Sequence, residues 1–373
     1  MSFRNKLFSR KKIYDLKGTE NLFLMAMKEN VHFHYKNCPE YTHILDRNGF
    51  SVDQIKTVSD LHRIPALTTM FVKSHPLFSV TPRKIITKAT SSGTSGRKSV
   101  VGLDLSSGYN ALRMVFTSFL HYKLFSLSPT NYIVLGYEPH SSNKISTAKS
   151  AKGLTMIAPA RHKEYALKYT ENGYEFNQDG IIAAIIRFSK QSSPVRFIGF
   201  PSYMFYLLKT LQEKNIKVKL PSKSRVFFGG GWKQFFSDSI EKSELYKMVE
   251  DTLGIPEKNC MDFFGSVEHP VLYCECPNHH FHIPIYSRVI IRDVKTLEPI
   301  KFGQVGLVNL ITPLISSMPL SSLITDDLGV MYEGQKCGCG IDSPYVYFLG
   351  RVGVKNLKTC SVNAEDHLGG VLK

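Results

Sequence analysis

Thr90-Ser91-Ser92-Gly93-Thr94-Ser95-Gly96-Arg97-Lys98-Ser99 separates the β-prone Lys84-Ile85-Ile86-Thr87 from the strand-like Val100-Val101-Gly102-Leu103. Glycine lets a backbone turn sharply and approach an anion closely. Successive N–H groups, hydroxyls and a lysine can then cradle phosphates. The Walker pattern needs four residues between its glycines and ends Gly-Lys-Ser/Thr. Here only Thr94 and Ser95 separate Gly93 from Gly96, and Arg97 precedes Lys98, so a P-loop NTPase is excluded. A plain Ser/Gly surface loop is the alternative, and the rest of the chain decides between the two.

Outward from this loop, strand and helix patterns alternate. Tyr132–Leu135, Val195–Gly199, Arg225–Phe228 and Asn259–Phe263 are short apolar runs expected to be buried strands. Gly180–Lys190 and Ser202–Lys214 read as helices between them, with Ser202 as N-cap of the second. Residues 18–80 read as mostly helical, broken by the connector Leu61–Leu67. After about residue 280 the pattern turns strand-rich, with Ser287–Arg292, Gly306–Ile311 and Val330–Tyr332 expected as hairpins or a small barrel. The expected class is α/β. Its expected parts are a helical segment 1–83, an α/β core 84–350 with the β-rich region at its end, and a tail 351–373.

Composition narrows the function. Hydrophobic residues make up 43% and charged residues 21% of the 373, the balance of a globular protein with a sizeable core. The longest aliphatic stretch, Ile181–Ile186, is too short to span a bilayer. The start lacks the apolar segment of a signal peptide, so a cytoplasmic protein is expected. The net charge of +16 reads first as a solvated basic surface, with anionic substrates, an acidic partner or a membrane surface as the alternatives. Its lysines and arginines are scattered, without zinc-finger, RNP-like or basic-heptad patterns, so nucleic-acid binding is not expected.

Four more motifs follow the loop in order. Phe197–Tyr203 ends a strand and opens a helix. Val226-Phe227-Phe228-Gly229-Gly230-Gly231-Trp232-Lys233 runs a strand into three glycines, where a flat base or sugar could lie against backbone. Asp262-Phe263-Phe264-Gly265-Ser266-Val267-Glu268-His269 offers a hydroxyl and a carboxylate just after a strand. Thr325-Asp326-Asp327-Leu328-Gly329, read as a turn, is followed by Gly350-Arg351. Taken singly, each has a bland structural reading as a turn, a flexible loop or a solvated acidic segment.

Together, in this order, they resemble the adenylate-forming enzymes over roughly residues 60–351. The resemblance implies that ATP is cradled by Ser91, Ser92, Gly93, Thr94, Ser95, Gly96 and Lys98, with Gly229, Gly230 and Gly231 beside the nucleotide. It also implies that Ser266 bonds the phosphate or acyl carboxylate and that Glu268 helps hold Mg²⁺. Asp327 would accept from the ribose hydroxyls and Arg351 would contact ribose or phosphate. Asp326 departs from the family's Thr-Gly-Asp-Leu. The family normally carries a further domain after its Gly-Arg hinge, and a chain ending at Lys373 is expected to lack it.

Within that superfamily the chain resembles the acyl-protein synthetases of the LuxE family, through the loop, Gly-Gly-Gly-Trp-Lys, Thr-Asp-Asp-Leu-Gly and the Cys360 of Thr-Cys-Ser. Phenylacetate-CoA ligases are more distant. The resemblance implies that a fatty acid is activated with ATP and carried on Cys360, then delivered to a partner acyl reductase. An extended arm of about nine residues spans ~30 Å, enough to swing that thiol into an active site. The alternatives are an acyl-CoA ligase, and a nucleotide-binding scaffold without turnover.

Seven cysteines, an odd number, argue against a disulfide framework. Four stand in two C-x-C pairs, Cys274 with Cys276 and Cys337 with Cys339. These four are candidate ligands of a structural zinc that would pin the β-rich region, although one-residue spacing is tighter than usual. Free cysteines are the alternative.

Overall fold

The computed structural model describes residues 1–90, 99–140, 153–171, 173–232 and 239–351. These form two compact units. One comprises Met1–Ala89 with the described residues of Arg97–Thr117 and of the stretch from Ser266 onward, and the other lies within Ser118–Gly265.

The second unit is a mostly parallel sheet with helices between its strands. Its strands are β4 (Thr130–Tyr137), β5 (Ala160–Thr170), β6 (Gly173–Phe176), β7 (Val195–Gly199), β8 (Arg225–Gly229) and β9 (Cys260–Phe264), in the order β9-β8-β7-β4-β5-β6. β4, β7, β8 and β9 pair in parallel, and only β6 runs antiparallel to its neighbour. Strands covered on both faces must be apolar throughout, which explains the unbroken runs at Ile133–Leu135 and Val226–Phe228. The helices α6 (Gln178–Ser189), α7 (Pro201–Glu213) and α8 (Lys242–Leu253) bury Ile185, Phe188, Met204, Leu208 and Val249 against Phe197 and Val226. The core strands and the first two helices therefore lie where the apolar pattern puts them.

Two local expectations change. Ser202 does not cap α7: Pro201 takes the first helical position and extended Phe200 is the N-cap. Proline's fixed φ and missing N–H suit that position. Ser202 is thereby drawn into the first turn, fully buried, its Oγ without a hydrogen-bond partner among the described residues. The hairpin β5–β6 carries no apolar run. It lies at the sheet edge, where β5 opens with the polar run Arg161-His162-Lys163-Glu164 and Lys168 pairs with Glu164 at 2.6 Å.

The first unit joins the N-terminal helices to the β-rich end of the chain. Its helices are α1 (Phe3–Phe8), α2 (Leu16–Asn37), α3 (Pro39–Arg47), α4 (Thr69–Ser74) and most of α5 (Leu105–His121). Its short strands are β1 (Leu67–Thr68), the paired β2 (Ile85–Thr90) and β3 (Val100–Asp104), and β10 (Tyr273–Cys274). The main sheet runs β11 (Phe281–His282), β15 (Tyr345–Arg351), β14 (Ser322–Tyr332), β13 (Val305–Ile311), β12 (Arg288–Arg292), all antiparallel. β1 adds in parallel to β14, Leu67 opposite Leu323. The 325–329 stretch is thus not a turn. It lies inside β14, whose backbone groups are taken up by β13 and β15, with a register shift between Leu328 and Gly329.

Buried polar side chains tie α2 to this sheet's connections. The Asn30 amide donates to the Ile315 carbonyl (2.7 Å) and accepts from the Ser321 hydroxyl (2.6 Å). His34, fully buried, bridges the Ser79 hydroxyl (2.7 Å) and the Ile315 carbonyl (3.1 Å). Burial, aided by the charge of Arg4, holds its pKa down at about 3, against the pull of the Ile315 carbonyl and Asp104. The imidazole is therefore neutral in the folded protein, while the unfolded chain protonates near the ordinary value of about 6.5. Between these values the unfolded state binds the extra proton, so stability is full above about pH 6.5 and falls as pH drops toward 3. Urea unfolding should show wild type losing about 2 kcal/mol more than His34→Gln between about pH 7 and pH 5. Equal losses in both proteins would contradict a neutral buried His34.

Candidate active site

In parallel sheets, ligand crevices form beyond the carboxyl ends of the strands. In the second unit β8 ends at Gly229, and the chain leaves it through Gly230 (φ 80°) and Gly231 (φ 66°). These left-handed conformations favour glycine and leave bare backbone after the strand. Trp232 is not laid open as a stacking platform. It packs edge-on against Phe205 at 5.5 Å, at the margin of the core. Phe205 is itself buried and Tyr203 and Tyr206 pack on the same core, so their helical spacing marks the inner face of α7.

In the first unit, Ser266–His269 forms a tight polar turn. The backbone N–H of His269 donates to Ser266 Oγ at 3.0 Å. Glu268 is only 5% exposed, and the Ser99 hydroxyl donates to its carboxylate. Ser99 directly follows the 91–98 segment in sequence, so the carboxylate motif holds the residue next to that segment. His269 is fully buried, its Nε2 within 3.1 Å of the Tyr273 hydroxyl and 3.2 Å of Ser287 Oγ. Burial pushes its pKa down to about 3, which makes it a neutral strut rather than a proton carrier.

Asp327 and Arg351 face each other in register across β14 and β15. The N–H of Asp327 donates to Thr325 Oγ1 (3.2 Å), whose own hydroxyl donates to the Val308 carbonyl (3.2 Å). Asp326 and Asp327 are both half-buried.

The cysteines converge, with one change of membership. Cys276, Cys337, Cys339 and His282 bring one ligand atom each to within 4.8 Å of one another. Cys274 lies outside that group. Two residues back along extended chain is about 7 Å, which carries Cys274 away from Cys276. Beyond Cys276 the chain turns, Cys276 N–H donating to the His280 carbonyl (3.0 Å), and His282 comes back beside Cys339. The return of a histidine six residues after a cysteine is the signal that cysteine spacing alone does not carry.

Ser91, Ser92, Gly93, Thr94, Ser95, Gly96, Lys98 and Cys360 lie outside the described residues, and Arg351 is described by its backbone alone. Among the described residues no helix is long and apolar enough to cross a membrane.

The family profile of acyl-protein synthetase, LuxE, matches residues 9–369. The chain is 26% identical over 310 residues to a long-chain-fatty-acid–luciferin-component ligase of Aliivibrio fischeri, covering 82% of this chain and 78% of the relative. It is 24% identical over 359 residues to the ligase of the same name from Vibrio harveyi, covering 95% and 90%. In fold it is similar to a 2-hydroxyisobutyryl-CoA ligase in an open conformation with 2-HIB-AMP and CoA, at a TM-score of 0.66 and 16% identity, over 92% of this chain and 77% of that one. The same ligase in its postadenylation state matches at a TM-score of 0.65 and 15% identity, over 92% and 70%.

Removing the donor of a buried carboxylate is expensive. Ser99→Ala should lower stability by about 1–3 kcal/mol in urea unfolding, the cost of a poorly satisfied buried acceptor. A variant as stable as wild type would show that the Glu268 carboxylate does not depend on Ser99.

Proposed function

The chain belongs to the acyl-protein synthetase (LuxE) family and has the fold of adenylate-forming ligases, and on that premise we propose that it activates a long-chain fatty acid with ATP and takes the acyl group onto Cys360. The observation that carries this reading is the profile match over residues 9–369, which spans the glycine loop, the Glu268 and Asp327 motifs and Cys360 together.

In the first step a carboxylate oxygen attacks the α-phosphorus of ATP. The bond to the leaving oxygen breaks, giving acyl-adenylate and pyrophosphate. Lys98 and the N–H groups of residues 91–96 would oppose the phosphate charge. Gly229–Gly231 would accept the flat nucleoside, and Asp327 and Arg351 would bind its ribose and phosphate. Glu268 is a hard oxygen ligand next to the loop's anchored end, a donor that fits Mg²⁺. Mg²⁺ supplies charge neutralisation on the phosphates. In the second step the Cys360 thiolate attacks the acyl carbon, AMP leaves and a thioester remains. Lys355 and Lys358, close to Cys360 in sequence, would favour the thiolate, which is the nucleophile. A partner acyl reductase would then take the acyl group, and we place the enzyme in the cytoplasm. The solved relative with CoA bound favours CoA as acceptor for a second reading, an acyl-CoA ligase.

Incubation with radioactive tetradecanoic acid, ATP and Mg²⁺, without CoA, separates the two. Wild type should take up a hydroxylamine-labile label, and Cys360→Ser should take up none while keeping ATP–pyrophosphate exchange. Lys98→Ala and Glu268→Ala should each lose exchange by about a hundredfold or more. Product that forms only with CoA would overturn self-acylation, and loss of exchange in a folded Cys360→Ser would overturn the two-step order.

A further inference from the structure

We propose that Cys276, His282, Cys337 and Cys339 form a structural Zn²⁺ site that locks the β11–β15 edge of the antiparallel sheet. Tetrahedral zinc with Zn–S near 2.3 Å holds its ligand atoms about 3.5–3.8 Å apart. Cys276 Sγ and Cys337 Sγ lie 3.5 Å apart, and Cys339 Sγ and His282 Nε2 lie 3.3 Å apart. With all four atoms within 4.8 Å of one another, small side-chain rotations complete the tetrahedron. The sulfurs are too far apart for a disulfide, whose bond is about 2.05 Å, and the cysteines are free.

The surroundings are arranged as for ligands. His282 Nδ1–H donates to the Ser343 carbonyl at 2.6 Å, which fixes the tautomer and leaves the Nε2 lone pair facing Cys339. Zinc-bound histidines are held in this way. The backbone N–H of His280 donates to Cys276 Sγ at 3.4 Å, and His280 Nδ1 stands 3.0 Å from Cys337 Sγ. Donors aimed at sulfur suit thiolates better than thiols. The second C-x-C turns through Gly338 in the left-handed region (φ 72°), which lets Cys337 and Cys339 reach one point. Asn278 closes the turn by donating to the Cys337 carbonyl at 2.6 Å. Three thiolates and an imidazole in tetrahedral array select zinc over the hard cations.

The consequence lies in β15. His282 pairs with Tyr345 and Phe281 with Val346, so a metal joining His282 to Cys337 and Cys339 fixes the register at which β15 begins. β15 then runs to Arg351, opposite Asp327. The inference rests on side-chain geometry and is independent of the proposed reaction.

The test is metal analysis of full-length protein purified without chelator. Wild type should hold about one zinc per chain, and Co²⁺ exchanged into it should show strong thiolate-to-cobalt charge transfer with tetrahedral d–d bands. Cys337→Ser and His282→Ala should lower metal retention about tenfold or more, Cys274→Ala should not, and His282→Cys should keep the metal with added charge-transfer intensity. If the single variants fail to fold, wild-type metal content and the Co²⁺ spectrum still decide. Reduced wild type that binds neither metal, a Cys276–Cys337 disulfide in freshly isolated protein, or unchanged retention and spectrum in His282→Ala would each overturn the site.

Discussion

The register of β14 is the constraint on which the first unit depends. The strand is paired along one edge by β13 and shared along the other between β1 and β15. Because side chains alternate with a period of two, a slip of one residue would turn every one of them to the opposite face. Leu323 and Ile324 pair with β1, and Asp327–Tyr332 pair with β15, so one strand links the end of the N-terminal helical segment to the last described residues. The register shift between Leu328 and Gly329 falls beside Asp327, where a local change of strand geometry re-aims side chains.

How much of this was legible follows from what each residue must satisfy. Val195–Gly199 and Arg225–Gly229 are covered on both faces, so their apolar runs announce strands. The β5–β6 hairpin lies at an edge and its charged residues hide it. Two adjacent aspartates read locally as a turn, yet Asp326 and Asp327 sit within β14 because neighbouring strands take up its backbone. Ser202 follows Pro201 and looks like a cap, but proline's own preference for the first helical position displaces it inward. The motifs of the candidate site were readable as an ordered set. The contact between Ser99 and Glu268 joins residues far apart in the chain, and no local pattern encodes it. The same holds for His282, whose approach to Cys339 depends on a turn after Cys276.

The buried polar groups of the first unit include both neutral and charged side chains. His34 and His269 are both buried and held uncharged, and each is placed by hydroxyls and carbonyls rather than by carboxylates. Buried neutral networks specify a packing without the desolvation cost of an ion pair. Glu268 and Glu275 are buried acids, the first held by the Ser99 hydroxyl and the second beside His279 Nδ1 at 3.2 Å.

The pairing of β2 with β3 brings together the two ends of the segment that carries the glycine loop. Once strand pairing has closed a loop, further length is cheap: each doubling adds only about 0.6 kcal/mol of closure entropy. Added length between Thr90 and Ser99 should thus cost folding little. Such a segment can change in length while the strands on either side keep their pairing.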